Sequence, residues 1–255
     1  MPAHPFLDHP RPLAFAHRGG DDVAPENTLR AFRAAVDAGY RYLETDVHLT
    51  RDGVLVSFHD ESLDRVTDHR GRIEDLTLAE LADVRIAGTD PVPTFDELLE
   101  EFPGIRFNID PKADASVVAL AHALRRHDAL DRVCVGAFSD ERLARLRGLL
   151  GDRLCSAAGP GEISRLVAAS HVPGLRGRTT TPPYRCVQVP VRHQGVEVVT
   201  LAFVDAAHRR GVQVHVWTID EPDEMHRLLD LGVDGIMTDR PSVLRGVLEA
   251  RGAWT

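Results

Sequence analysis

Cysteine is scarce in this chain, and the cysteines present are far apart. There are three, Cys134, Cys155 and Cys186, and they form no CxxC pair and no Cys/His spacing typical of a zinc site. An odd, dispersed set of thiols argues against a disulfide-stabilised secreted domain. We therefore expect the three cysteines to be reduced residues of a protein core.

Long apolar runs are also absent. No stretch approaches the roughly 20 apolar residues that a membrane-spanning helix needs. Residues 1–11 contain prolines, histidines and charges but no apolar segment of the kind found in a secretory signal. The sequence therefore predicts a cytoplasmic protein with no stable membrane association.

Basic residues are outnumbered by acidic ones, with 30 Lys and Arg against 39 Asp and Glu and a formal net charge of -9. Because binding to a nucleic-acid backbone depends on clustered Lys and Arg, this balance argues against a nucleic-acid partner. A small anionic substrate is still allowed, since the local field inside a cleft decides its binding.

Short apolar runs alternate with amphipathic segments along the chain, which is typical of a parallel sheet with crossover helices. An open doubly wound sheet would fit this alternation, but no GxGxxG follows the first run, and polar residues end several predicted strands. Active sites of closed barrels are assembled from many strand ends. We predict an α/β fold, a (β/α)8 TIM barrel forming one domain over residues 1–255. The predicted strands are 13–16, 42–49, 105–110, 133–137, 154–157, 186–189, 212–217 and 235–238, and the predicted helices include 28–38, 116–126, 140–150, 201–209 and 222–231.

One connection is too long for this pattern. Residues 50–104 contain an Asp52-Gly53 turn and a helical segment at 95–101. Because structureless loops of this length are uncommon, we predict a small insertion after the second strand, over one mouth of the barrel. Residues 173–185, rich in Gly, Pro, Thr and Arg, are predicted to form an exposed loop.

Polar side chains stand at the ends of the first two predicted strands. His17 and Arg18 follow the first strand, and an Arg can donate two hydrogen bonds to a phosphate. The same residues could equally form a capped turn with a solvated Arg. Glu44 and Asp46 lie two apart on the second strand and so share one face. Because buried unpaired carboxylates are costly, this pair implies either a cation or basic partners.

The third predicted strand offers a further ligand. Asp110 and Lys112 share a face at its end. Three carboxylates with waters suit Mg²⁺ or Ca²⁺ better than a softer metal. Glu44, Asp46 and Asp110 are therefore candidate metal ligands, and a salt bridge with Arg41 or another Arg is the alternative for the first two.

Histidines and one tryptophan complete the candidate residues. His59 follows the Asp52-Gly53 turn, and Asp60 beside it could orient its ring or only cap a turn. His48 is expected on the surface and His215 in the core. Trp217, at the predicted mouth, could pack against a substrate.

Taken in order, these motifs resemble the glycerophosphodiester phosphodiesterases. The resemblance covers residues 14–241 and is specific as a constellation rather than in any single motif. It rests on His17-Arg18-Gly19, Glu26-Asn27-Thr28, Glu44-x-Asp46, Asp52-Gly53, His59-Asp60 and Val216-Trp217-Thr218.

The resemblance implies metal-dependent hydrolysis of glycerophosphodiesters to glycerol 3-phosphate and an alcohol, on a TIM barrel with a small insertion. It also implies roles for individual residues. The divalent ion, Mg²⁺ or Ca²⁺, would be bound by Glu44, Asp46 and Asp110. His17 and His59 would serve as acid and base, Arg18 and Lys112 would hold the phosphoryl oxygens, and Trp217 would pack against the glycerol backbone.

Two neighbouring residues depart from the family pattern. Family members more often have Glu at the position of Asp110 and an aliphatic residue at that of Pro111, so the metal site is expected to be shifted or to take a different number of waters.

Two other functions fit the same residues. One alternative is lysophospholipase D or sphingomyelinase D-like activity on lipid phosphodiesters, against which stands the lack of an obvious apolar lip. The other is a non-catalytic barrel binding module, against which stands the complete set of motifs. The sequence leaves open the preferred alcohol, the native metal, the division of roles between the histidines and the oligomeric state.

Overall fold

The computed structural model describes residues 4–171 and 182–255. The greater part of the predicted loop 173–185 lies outside the described residues. In chain order the strands are β1 (Leu13–Ala16), β2 (Tyr42–Leu49), β3 (Leu55–Ser57), β4 (Arg85–Ile86), β5 (Asp90–Pro91), β6 (Arg106–Pro111), β7 (Val133–Val135), β8 (Cys155–Ser156), β9 (Cys186–Val189), β10 (Arg192–His193), β11 (Val196–Glu197), β12 (Gln213–Val216) and β13 (Gly235–Thr238).

Helices alternate with the barrel strands, and several begin at a hydroxyl side chain. The Thr28, Thr94, Ser139 and Thr200 side chains each accept a hydrogen bond from the backbone N–H three residues later, which satisfies an otherwise unpaired donor. The helices are α1 (Leu29–Asp37), α2 (Leu78–Leu81), α3 (Phe95–Glu101), α4 (Ser116–Arg126), α5 (Asp140–Leu150), α6 (Pro160–His171), α7 (Leu201–His208), α8 (Pro222–Leu231) and α9 (Pro241–Ala250).

The main sheet closes on itself. Its parallel strands run in the order β8-β7-β6-β2-β1-β13-β12-β9, and an isolated parallel bridge between Ala157 and Cys186 joins the two ends. The short strand β3 is added antiparallel on β2. The predicted TIM barrel is therefore confirmed. Predicted strand ends differ from the observed ones by one or two residues, because residues such as Gly136 and Ala137 have already left the sheet and line the mouth.

The amino-terminal end of the barrel is filled by aromatic side chains. Phe6, in the turn before β1, packs edge-on against Tyr42 with ring centroids 5.2 Å apart, and the Tyr42 hydroxyl donates to the Phe6 carbonyl at 2.6 Å. Phe15 packs beside them. The three cysteines belong to the same interior cluster as free, buried thiols, as predicted. Because this end is packed, the carboxyl-terminal mouth is where a substrate can enter.

The segment after β2 has a small core of its own. Its buried apolar side chains include Val56, Phe58, Leu63 and Ile86, whereas the side chains of α3 pack into the layer between barrel and helices. This small core holds residues 58–66 near the mouth. Within the described residues, no helix is long and apolar enough to cross a membrane.

Candidate active site

A cavity of about 630 Å³ opens at the carboxyl ends of the strands. Side chains from the turn after β1, from β2 and β6 and from the segment after β3 line one side, and side chains from the β7 to β12 half line the other. Every candidate residue from the sequence lies on its wall: His17, Arg18, Glu44, Asp46, His59, Asp110, Lys112 and Trp217.

His17 lies in a tight turn directly after β1. Its Nδ1 is 2.5 Å from Asp239 Oδ1, and its Nε2 is 3.7 Å from Glu44 Oε2. Burial by itself lowers the pKa of His17, but the neighbouring carboxylates of Glu44 and Asp239 outweigh it and raise the pKa. The turn depends on glycine, since Gly20 has φ +83° and a Cβ there would come within 2.3 Å of the Pro241 ring. The imidazole is therefore fixed between two acidic groups.

Strand register brings the carboxylates together. Asp46 is the Cα partner of Asp110 across β2 and β6, and Lys112 Nζ lies 2.7 Å from a carboxylate oxygen of each. Burial alone would raise the pKa of Asp46, but Lys112 and Arg18 lower it. For Asp110 burial prevails over Lys112, and the pKa is raised. The other oxygen, Asp110 Oδ1, is buried and has no hydrogen-bond partner.

The carboxylate of Glu44 is also incompletely compensated by its neighbours. Burial and then the charge of Asp46 raise its pKa to about 7, although His17, Lys112 and Arg18 oppose them. A further cation would relieve both Glu44 and the unpaired oxygen of Asp110. Across residues 4–171 and 182–255, no group of three or more His, Cys, Asp or Glu side chains is already arranged to hold a metal ion. The side chains of Glu44, Asp46 and Asp110 nevertheless fit a hard divalent cation, because all three offer oxygen ligands.

Arg18 is held against the carboxylates by its own backbone and side chain. Its backbone N–H donates to Glu44 Oε2 at 3.1 Å, and Nη1 donates to Glu26 Oε1 at 3.0 Å. Its Nε lies 3.3 Å from Asp46 Oδ2 without forming a hydrogen bond. Asn27 Nδ2 donates to the same Asp46 oxygen at 3.3 Å. Glu26 and Asn27 therefore support the site as well as the start of α1.

His59 is oriented by its neighbour in sequence. Its Nδ1 is 2.5 Å from Asp60 Oδ1, so Asp60 does more than cap a turn. Burial raises the pKa of Asp60, but hydrogen bonds from Arg65 and His59 lower it to about 2. The expectation that His48 is a surface residue is wrong. It is only 5% exposed because it lies beneath the backbone of His59, whose carbonyl is 3.0 Å from His48 Nε2.

The second half of the cavity wall is largely apolar. Trp217 packs edge-on against Phe138, with ring centroids 5.7 Å apart, and Phe138 is 70% exposed at the rim. Ile163 and Val167 of α6 and Val196 of β11 continue this surface, which we call the apolar wall. No apolar lip is evident in the sequence, but the fold assembles one from separate elements.

The sequence did not point to three residues that make contacts at the site. Asp239 pairs with His17, and its position just after β13 is a signal that the strand-end rule could have used. Arg65 binds Asp60 and Glu26, and nothing in the local sequence marks it. Gln188 Nε2 donates to Asn108 Oδ1 at 2.7 Å across the floor of the cavity.

Comparisons with known proteins agree on one family. The model of the Glycerophosphoryl diester phosphodiesterase family matches residues 17–243. A curated relative named "Probable glycerophosphodiester phosphodiesterase 2", from Mycobacterium tuberculosis, is 41% identical over 256 residues, covering 99% of this chain and 97% of the relative. A solved structure from Silicibacter pomeroyi matches with a TM-score of 0.80 at 24% identity and covers 98% of both chains. An Oleispira antarctica phosphodiesterase, solved in complex with the product sn-glycerol-3-phosphate, matches with a TM-score of 0.77 at 24% identity, covering 94% of this chain and 97% of that one.

Proposed function

Because the chain belongs to the glycerophosphoryl diester phosphodiesterase family, we propose that it hydrolyses glycerophosphodiesters to glycerol 3-phosphate and an alcohol with a divalent metal ion, His17 and His59. As a member of this family it is a phosphoric diester hydrolase. The glycerol 3-phosphate bound to the Oleispira antarctica protein supports the choice of product. Residence in the cytoplasm stays a prediction.

The observation that carries the proposal is the convergence of the acidic, basic and imidazole groups on one cavity. A phosphodiester is an anion, and its hydrolysis gathers further negative charge in the transition state. Arg18 and Lys112 supply fixed positive charge beside the buried carboxylates, at distances of 3.3 Å and 2.7 Å from Asp46. Positive charge here would bind the phosphoryl oxygens and stabilise the transition state.

We assign the metal ion to Glu44, Asp46 and Asp110. Mg²⁺ or Ca²⁺ bound there would supply a Lewis acid for the phosphoryl oxygens. The raised pKa of Glu44 and the unpaired oxygen of Asp110 support this assignment, since both indicate a site that lacks positive charge.

Each of the two histidines has a carboxylate partner on one side of its ring. Each imidazole has its Nδ1 at 2.5 Å from a carboxylate, Asp239 for His17 and Asp60 for His59. Such a contact fixes the ring and leaves Nε2 for proton transfer. One histidine would deprotonate the attacking oxygen, from water or the glycerol 2-hydroxyl, and the other would protonate the leaving alcohol.

Hydrolysis of glycerophosphocholine, followed with and without EDTA, tests the proposal. We expect glycerol 3-phosphate and choline as products, loss of turnover on chelation, and recovery with Mg²⁺ or Ca²⁺. Full activity of thoroughly chelated protein would reject the metal assignment. Release of glycerol and phosphocholine would reject the proposed products.

The apolar wall favours a second candidate, activity on lipid phosphodiesters. Ile163, Val167 and Val196 offer an acyl chain an apolar surface next to the site. Lysophosphatidylcholine should then be cleaved with a lower KM than glycerophosphocholine. Val167→Asp should remove that difference, whereas Val118→Asp, at an exposed position of α4 outside the cavity wall, should not. Equal KM values for both substrates would exclude this candidate.

A further inference from the structure

One arginine outside the predicted site connects the residues that support His59 and Arg18. Arg65 lies in the insertion, between β3 and α2, and does not line the cavity. We propose that Arg65 is a positioning residue that holds the orienting carboxylate of His59 and the carboxylate that anchors Arg18 in one fixed arrangement. This inference rests on the roles proposed above for His59 and Arg18.

The guanidinium of Arg65 binds two carboxylates at once. Its Nε donates to Asp60 Oδ2 at 2.6 Å and its Nη2 to Asp60 Oδ1 at 3.2 Å. Its Nη1 donates to Glu26 Oε2 at 2.9 Å, and Nη2 donates also to Glu26 Oε1 at 2.7 Å. A planar fork of five donors can satisfy two carboxylates in this way, whereas a lysine ammonium cannot reproduce the geometry.

Each of these carboxylates holds one candidate site residue. The Asp60 oxygen that receives Nη2 is the same Oδ1 that contacts His59, and Glu26 Oε1 receives both Arg65 and Arg18. The path from His59 to Arg18 is therefore continuous and passes through Arg65. Neither carboxylate has another side-chain partner among the hydrogen bonds of the described residues.

The insertion fixes where this guanidinium stands. Leu63, two residues before it, is completely buried in the small core of the insertion. The backbone N–H of Thr67 donates to the Leu63 carbonyl at 3.2 Å, and Ala87 N–H donates to the Val66 carbonyl at 2.8 Å. The chain on both sides of Arg65 is thus anchored, although the side chain itself is half-exposed. This gives the insertion a function beyond covering the mouth.

Loss of the fork should affect kcat and KM through different partners. Without Arg65, the only side-chain partner left to Asp60 is His59, so the orientation of the His59 ring relaxes. The only side-chain partner left to Glu26 is Arg18. Small misplacements of catalytic groups cost up to about 100-fold in rate. We expect Arg65→Gln to lower kcat through His59 and to raise KM through Arg18, with kcat/KM falling roughly 10- to 100-fold.

Arg72 provides a matched control in the same insertion. It also bridges two carboxylates, Glu61 at 3.3 Å and Glu74 at 2.7 Å, and its side chain is 51% exposed against 46% for Arg65. Arg72→Gln should leave both kinetic constants unchanged. The two variants should melt at similar temperatures, since exposed ion pairs contribute little to stability.

Double variants separate positioning from a general structural role. Combined with Asp60→Asn, Arg65→Gln should lower kcat no further than the stronger single change. Combined with Glu26→Gln, it should raise KM no further. Arg65→Lys, which keeps the charge and the fold, should recover less than half of the lost kcat/KM. Additive losses in both cycles, or full recovery with Lys, would overturn the inference.

A proton spectrum tests the same arrangement without turnover. The Nδ1 proton of His59, in its short contact with Asp60, should give a low-field resonance, identified by its loss in His59→Gln. This resonance should broaden or move in Arg65→Gln and stay in place in Arg72→Gln. An unchanged resonance, with kinetics like those of Arg72→Gln, would overturn the inference while leaving the proposed function intact. An inactive parent protein would instead reject the proposed function.

Discussion

Replacement of Asp239 by asparagine removes one charge beside His17 and little else. Asn keeps the shape of the side chain, and the backbone N–H of residue 239 can still donate to Asp220 Oδ1 at 2.9 Å. What is lost is the charged partner 2.5 Å from His17 Nδ1. Because an amide can also present its NH₂ group to the ring, the substitution disturbs both the charge and the tautomer of the imidazole.

The size of the effect follows from the kind of contact. A hydrogen bond to a charged group contributes about 1.5–3 kcal/mol, which corresponds to a loss of roughly 10- to 150-fold if it acts fully in the transition state. The Asp239 side chain is 37% exposed, so solvent screening places the expected loss in kcat toward the lower end of this range. The carboxylate also raises the pKa of His17. The limb of the pH–rate profile that depends on His17 should therefore move to lower pH in Asp239→Asn.

Asp234→Asn is the matched control for this experiment. Asp234 also holds a histidine, since its Oδ2 is 2.6 Å from His208 Nε2, but it lies at the start of β13, at the opposite end of the barrel from Asp239. We expect this variant to lose thermal stability and to keep the kcat and the pH profile of the parent. We would measure kcat and KM for the parent, Asp239→Asn and Asp234→Asn across pH with glycerophosphocholine. An unchanged kcat in Asp239→Asn, or a His17 limb that moves to higher pH, would refute the reasoning.

Three further outcomes follow from the same structure. His17→Ala and His59→Ala should each lower kcat at least about 100-fold with little change in melting temperature. A p-nitrophenyl phosphodiester has a leaving group that needs no proton, so with this substrate kcat should recover only in the variant that lacks the acid. Asp110→Asn should weaken Mg²⁺ or Ca²⁺ binding measured by calorimetry and Asp110→Glu should retain it; an Asn variant that binds metal like the parent would remove Asp110 from the ligand set. The hydrogen bond with Asp234 raises the pKa of His208 above 6.5, so its contribution to the free energy of unfolding should be complete below pH 6.5 and should disappear as pH rises through the raised value. Urea titrations of the parent and His208→Gln across that range would show a stability difference that shrinks with rising pH, and a constant difference would contradict this.

The sequence alone was sufficient to place those site residues whose positions follow from alternation along a strand or from the end of a strand. Glu44 and Asp46 lie on one face because side chains alternate along a strand, and this holds in any sheet that contains them. The residues that follow parallel strands meet at one edge, so His17 and Asp110 could be placed together from strand boundaries alone. The same logic, applied to β13, would have reached Asp239.

Contacts between distant segments were decided only by the tertiary structure. Closure of the barrel places β13 beside β1, which brings Asp239 to His17 across 222 positions of sequence. Arg65 meets Glu26 because the insertion has its own core, and no periodic pattern records where that core docks. His48 is buried for the same reason, since the insertion covers what would otherwise be an exposed strand end.

The cysteines and the apolar wall show most clearly what the sequence predicts and what only the tertiary structure decides. Composition predicted reduced core thiols, but only the closed barrel, in which β7 and β9 flank β8 and their side chains meet in the interior, brings Cys134 Sγ to 3.7 Å from Cys186 Sγ. Phe138, Ile163 and Val196 are unremarkable in sequence because each stands on a different element. A surface made of single residues from several elements has no period along the chain. The sequence alone determines the strands and the chemical groups at their ends. The packing of the barrel determines the shape of the cavity that these groups line.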